Sequence, residues 1–189
     1  MTEARTGTTP ETKSSPLAGP CPRKFTPHAF GTALTVARSR PAVWAWLNNP
    51  DTFVKGQVWP FRVEFVDGSG EPDGDGRPAS GIAPGVLNVH HGPLLHLPGR
   101  IGAVDAGEDG LGHHRELLYL YGGYAIAWTL VRPTRLAFWL ADDDENDEAC
   151  VLTVRVESYC KPWIAGFWNA AQSLFWRRFF KWTARAIRA

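Results

Sequence analysis

The sequence predicts one α+β domain, in which a run of antiparallel strands leads into a single long terminal helix. Three observations carry this. Between residues 59 and 159, short apolar segments alternate with polar residues, and brief turns separate them. Such short turns join neighbouring strands as hairpins rather than as βαβ crossovers. A helical signal interrupts the strands once, just after residue 39, and the stretch 162–188 has no interior Pro and only one Gly. A length of 189 residues fits one domain with an appendage.

Taken in order, residues 1–24 are rich in Thr, Ser and Pro and have almost nothing to bury. They predict a mobile tail, with residues 25–189 as the folded domain. Phe30 to Val36 is the first strand, with Phe30, Thr32, Leu34 and Val36 on one side. Ser39 can cap a helix, Pro41 sits in its first turn, and Val43, Trp44 and Leu47 recur at helical spacing. Asn48, Asn49 and Pro50 stop it, and Asp51 to Val54 form a further short turn. Trp59, Phe61, Val63 and Phe65 alternate with Pro60, Arg62 and Glu64, as a half-buried strand does. Residues 68–81 are a Gly- and Pro-rich surface loop without the strand-to-helix setting of a phosphate site. Further strands are expected over Val86–His91, Gly99–Val104, His114–Tyr121, Tyr124–Val131, Arg135–Ala141 and Ala149–Tyr159. Turns are expected at Gly122-Gly123, at Pro133-Thr134 and over the acidic run 142–148, whose spacing lacks the ligand pattern of a calcium loop.

Composition narrows the function classes. A net charge of +1 gives no general drive toward nucleic acid, and only the final helix gathers Lys and Arg. No nucleic-acid partner is expected. Nine Trp and ten Phe in so short a chain predict a wide interior, an adhesive surface, or both. Three cysteines at spacings unlike a zinc motif suit a reducing, cytoplasmic setting. The first residues lack the apolar run of a secretory signal, and no apolar stretch nears the ~20 residues of a membrane span.

Two segments carry a family resemblance. TALTVARSRPAVWAWLNNPDTF at 32–53 is similar to the opening strand and Pro-Ala-x-x-Trp helix of the START-like, or SRPBCC, superfamily, which includes polyketide cyclases, coenzyme Q-binding proteins and lipid carriers. VLTVRVESYCKPWIAGFWNAAQSLFWRRFFKWTARAI at 151–187 resembles its closing strand and terminal helix. The resemblance spans about residues 29–188 and implies a helix-grip fold, a curved antiparallel sheet wrapped around a long C-terminal helix. It also implies an apolar or amphipathic ligand held between sheet and helix, and no cofactor.

The residues offer candidates for that cavity. Trp163, Ile164, Phe167, Ala171, Leu174 and Phe175 share a helix face, which reads as a lid over a cavity or as solid core; Trp168 lies beside it. Trp128, between Ile126 and Leu130, reads as core or cavity lining. His90, His91, His96, His113 and His114 are close in sequence, and three converging would bind zinc, but adjacent strand residues point to opposite faces and no His-Glu-x-x-His spacing occurs. A single inward histidine such as His91 serves better as a hydrogen-bond partner or general base. Arg115, Glu116 and Tyr119 either face the cavity, where a charge needs a partner, or form a solvated strand face.

Three functions remain open at this level. The first is binding of a lipid, quinone or polyketide-like molecule. The second is a cofactor-free cyclase or aromatase using His91, Arg115, Glu116 or Tyr119 for proton transfers. The third is docking on a membrane or protein through Trp176, Arg177, Phe180 and Lys181, against which stands packed core with an ordinary solvated basic stripe.

Overall fold

The computed structural model describes residues 19–54, 62–70, 81–92, 95–105, 114–119 and 129–187. The strands are β1 (Thr26–Val36), β2 (Arg62–Val66), β3 (Leu87–Gly92), β4 (Leu95–Asp105), β5 (His114–Tyr119), β6 (Val131–Asp142) and β7 (Cys150–Cys160). They form one antiparallel sheet in the order β1-β7-β6-β5-β4-β3-β2, so every sequential pair from β2 to β7 is adjacent and β1 returns beside β7. Helices α1 (Arg40–Asn48) and α2 (Pro50–Val54) follow β1, and α3 (Ala165–Ala186) closes the chain after a 3₁₀ turn at Pro162–Ile164. Among the described residues, no helix is long and apolar enough to cross a membrane.

Parity along β7 sets the two faces of the sheet. Cys150, Leu152, Val154, Val156, Ser158 and Cys160 are buried, while the residues between them are half-buried, as expected when alternate side chains enter a core. Their partners on β6 include Leu136, Phe138 and Leu140. Helix α1 adds Val43 and Leu47 to this core, and α3 adds Trp176, Phe179 and Phe180. Edge-on ring contacts knit the three elements together: Trp46 to Trp182 at 5.1 Å, Trp46 to Phe179 at 6.1 Å and Phe138 to Trp176 at 5.9 Å. Such pairs each add about 0.5–1.5 kcal/mol beyond area burial.

On the opposite face, Arg155 pairs with Glu157 at 2.9 Å and Arg135 approaches the same carboxylate at 3.7 Å. At the β6–β7 turn the acidic run is a hairpin tip, held by Asx contacts from Glu145 N–H to Asp143 Oδ1 and from Glu148 N–H to Asn146 Oδ1, both 3.0 Å. Arg40 of α1 reaches Asp142 at its base, at 3.1 Å.

Two expectations about the elements need correction. Thr129 and Leu130, expected in a strand, are helical, and Pro133-Thr134, expected as a turn, lies inside β6. A register shift between Pro133 and Arg135 explains the second: a bulge lets a residue without an N–H sit in a strand. Gly122-Gly123 lies outside the described residues. So do residues 1–18 of the expected tail. Gly19, which the tail also included, touches the domain, since Tyr159 donates its hydroxyl to the Gly19 carbonyl at 3.0 Å.

Candidate functional site

The described surface has a cleft of about 860 Å³ between the α1–α2 corner and edge strand β2. Its geometry begins with the Asn48-Asn49-Pro50 sequence. A residue before Pro is pushed out of the helical region, and Asn49 accordingly ends α1 in an extended conformation at φ −85° and ψ 113°. The same residue then caps α2: its Oδ1 accepts the Asp51 N–H at 3.0 Å, and Pro50 occupies the first position, where no N–H is required.

The other wall is the segment 81–83, drawn back against β2. Asp67 Oδ1 accepts the Gly81 N–H at 3.1 Å, and the Ser69 hydroxyl donates to the Val66 carbonyl while accepting the Leu87 N–H at 2.7 Å. Gly81 has φ +61°, and a Cβ there would overlap the Pro50 ring. Only glycine fits this closely against α2.

Val63, Phe65, Ile82, Ala83 and Pro50 supply the apolar lining, and Asn48, Asp51, Arg62, Glu64 and Asp67 the polar part. Its volume falls in the range of about 300–1,000 Å³ usual for small-molecule sites. Two amides stand out nearby. Asn48 Oδ1 is shielded from solvent and has no hydrogen-bond partner. Asn88, opposite Phe65 in register and 1% exposed, has neither its Oδ1 nor its Nδ2 partnered. An unmet buried polar group costs about 1–3 kcal/mol.

The sequence-derived candidates are distributed differently. His91 stands opposite Arg62, one residue out of phase with Val63 and His90, so it lies on the face away from Val63. There its Nε2 meets Glu64 Oε2 at 3.1 Å and its ring meets His96 edge-on at 5.2 Å. Arg115 pairs in register with Phe138, Glu116 with Ala137 and Tyr119 with Gly99. Trp128 lies outside the described residues.

On the terminal helix, the expected apolar face is rotated. Trp163, Phe167 and Leu174 are 71%, 73% and 55% exposed, whereas Trp168, Ala171 and Phe175 are half-buried. Trp168 donates its indole N–H to Ser158 Oγ at 3.3 Å, marking the side turned to β7. Trp176 and Phe180, expected on a docking surface, are instead 5% and 4% exposed and belong to the core. Arg177 and Lys181 remain in solvent. Trp176 and Phe179 pack instead against Phe138 of β6.

Among the described residues, three groups carry shifted pKa values, all away from the cleft. Burial pushes the Cys150 thiol up to about 11, with Asp142 adding to the effect. Burial also raises Cys160 and Tyr159.

No protein-family model matches the sequence, and no curated protein matches it. Solved structures do match. A START superfamily protein from Mycobacterium smegmatis superposes with a TM-score of 0.58 at 9% identity, covering 85% of this chain and 97% of that one. The fold is START-like. Norcoclaurine synthase from Thalictrum flavum, in complex with dopamine and hydroxybenzaldehyde, superposes on this START-like domain with a TM-score of 0.56 at 12% identity, covering 87% of this chain and 88% of that one. Ara h 8.0201 gives 0.56 at 15% identity, covering 86% and 98%. At such identities the START-like domain shares architecture with these proteins, and its site must be read from its own residues.

Those residues include several that sequence reasoning passed over. Asn48 was legible only as a helix stop. Asn88 had a usable signal, a polar residue in phase with Val86 in an otherwise apolar strand position. Ile82 and Ala83 adjoin a loop whose composition says nothing of what it packs against.

Proposed function

We propose that this START-like domain binds an amphipathic small molecule: an apolar ring system or chain bearing a hydroxyl or amine donor. The observation that carries the proposal is the α1–α2/β2 cleft, apolar along Val63, Phe65, Ile82 and Ala83, with the carboxylates of Asp51, Glu64 and Asp67 on its polar side. Carboxylate oxygens in a cleft wall accept hydrogen bonds, which favours a ligand bearing a hydroxyl or amine donor over a plain hydrocarbon. Phe65 and Ile82 pack on the same core as Phe175 of α3. Cys21, Cys150 and Cys160 are free thiols, which suits a reducing compartment such as the cytoplasm.

The test is a matched pair of probes, 9-fluorenol and fluorene, which share a ring system and differ by one hydroxyl. Tryptophan fluorescence of the full chain should quench saturably with both. The alcohol should bind about threefold to tenfold more tightly, as one net hydrogen bond allows. Asp51→Leu should reduce that preference, and Ala83→Trp, which fills the cleft, should weaken both probes. Saturable binding that Ala83→Trp leaves unchanged would place the ligand elsewhere and refute this reading.

A further inference from the structure

Among the described residues, five large hydrophobic side chains are exposed, and three of them, Trp163, Phe167 and Leu174, belong to the terminal helical segment. The other two, Leu34 and Val66, stand singly on strands β1 and β2. Phe167, Ala170, Leu174, Arg177, Arg178, Lys181 and Arg185 recur at intervals of three and four, so they form one ridge along α3. Every member is exposed. The opposite side carries Trp168, Phe175, Trp176 and Phe179, which meet the sheet and α1. At about 1.5 Å per residue the ridge is about 27 Å long from Phe167 to Arg185. Trp163 stands at its head, in the 3₁₀ turn.

The ridge divides by chemistry, with apolar side chains in its first half and cations in its second. From Ser158 to the last residue the sequence holds six Lys or Arg and no Asp or Glu, so nothing on the helix itself offsets those charges. We propose that this ridge lies flat on an anionic lipid surface, with Trp163, Phe167 and Leu174 entering the headgroup boundary and Arg178, Lys181 and Arg185 facing the lipid charges. Trp favours the membrane interface, and attachment there strengthens with both the apolar area inserted and the Lys and Arg facing anionic lipids. A ridge of this length with no acidic member fits a planar sheet of negative charge better than a shaped protein partner. The surface is separate from the cleft, so it requires no ligand there.

The experiment is co-sedimentation of the full chain with vesicles of phosphatidylcholine alone or containing about one-third phosphatidylserine, at about 0.1 M salt. Binding is expected to the anionic vesicles and to fall as salt rises. Replacing Arg178, Lys181 and Arg185 together with Gln should weaken it roughly a hundredfold, at about fivefold per charge. Trp163→Ser with Phe167→Ser should weaken it at least tenfold, by loss of inserted apolar area. Both variants change exposed side chains, and an unchanged thermal midpoint shows that they remain folded. The proposal is overturned if the wild-type chain ignores anionic vesicles, as it would if the ridge met an acidic protein instead. It is equally overturned if either folded variant binds like wild type.

Discussion

Two phenylalanines on one helix should respond to the same substitution in opposite ways. Phe179 is 7% exposed, and its ring lies 5.1 Å from that of Trp176, 5.6 Å from Trp182, 6.1 Å from Trp46 and 6.4 Å from Phe138. It therefore joins α3 to α1 and to β6 in one packed cluster. Phe179→Ala removes the transfer free energy of the ring and leaves a cavity that these large neighbours cannot fill without moving, a loss of about 3–5 kcal/mol. For a domain of this size each kcal/mol moves the thermal midpoint by about 2–4 °C, so a fall of roughly 6–20 °C is expected. Phe167, 73% exposed, has little transfer free energy to lose, and Phe167→Ala should stay within about 0.5 kcal/mol. Urea unfolding followed by far-ultraviolet circular dichroism measures both, with an unchanged slope confirming that midpoint shifts report stability. A cost below about 1 kcal/mol at Phe179 would refute the packing argument. A cost above about 2 kcal/mol at Phe167 would show that its ring is covered.

Two other outcomes follow from local geometry and titration. Gly81→Ala should destabilise by more than about 1 kcal/mol in the same denaturation assay, because φ +61° and the Pro50 ring both oppose a Cβ; a neutral result would mean that the 81–83 segment is not held against α2. The native fold keeps the Cys150 proton up to about pH 11, whereas the unfolded thiol loses it above about 9.0. Its contribution is therefore complete below pH 9 and lost as pH rises toward 11, by up to about 2–3 kcal/mol, and Cys150→Ala should flatten that part of the stability profile.

Much of the framework was legible because local rules and tertiary packing agree there. The buried parity of β7 follows from its alternation, and the α1–α2 corner follows from Asn48-Asn49-Pro50. The face of α3 was not legible for the opposite reason. Its aromatic residues sit nearly all round the helix, so periodicity alone gives Phe167 and Phe179 equal claims to the interior. The sheet decides between them, through Phe138. The orientation of His91 depended on which residue of β2 stands opposite it, a fact of register that no single strand contains. The cleft joins Asn48, Phe65 and Ile82 from three separate segments, and only the antiparallel return of the chain brings them together.

The pairing of the first strand with the last has a consequence for how the chain is made. Thr26 stands opposite Cys160, 134 residues downstream. At about 5–20 residues per second, a ribosome needs about 7–27 seconds to synthesise that interval. Throughout it, β1 has an edge but no neighbour, and its Leu34 remains 39% exposed even in the finished fold. Strands β2 to β6 can pair in the order they emerge, while the β1 edge waits as an open template for any extended chain nearby. The nascent protein is thus most vulnerable to association just before β7 leaves the exit tunnel, and a chaperone that shields residues 26–36 during that interval would protect its yield.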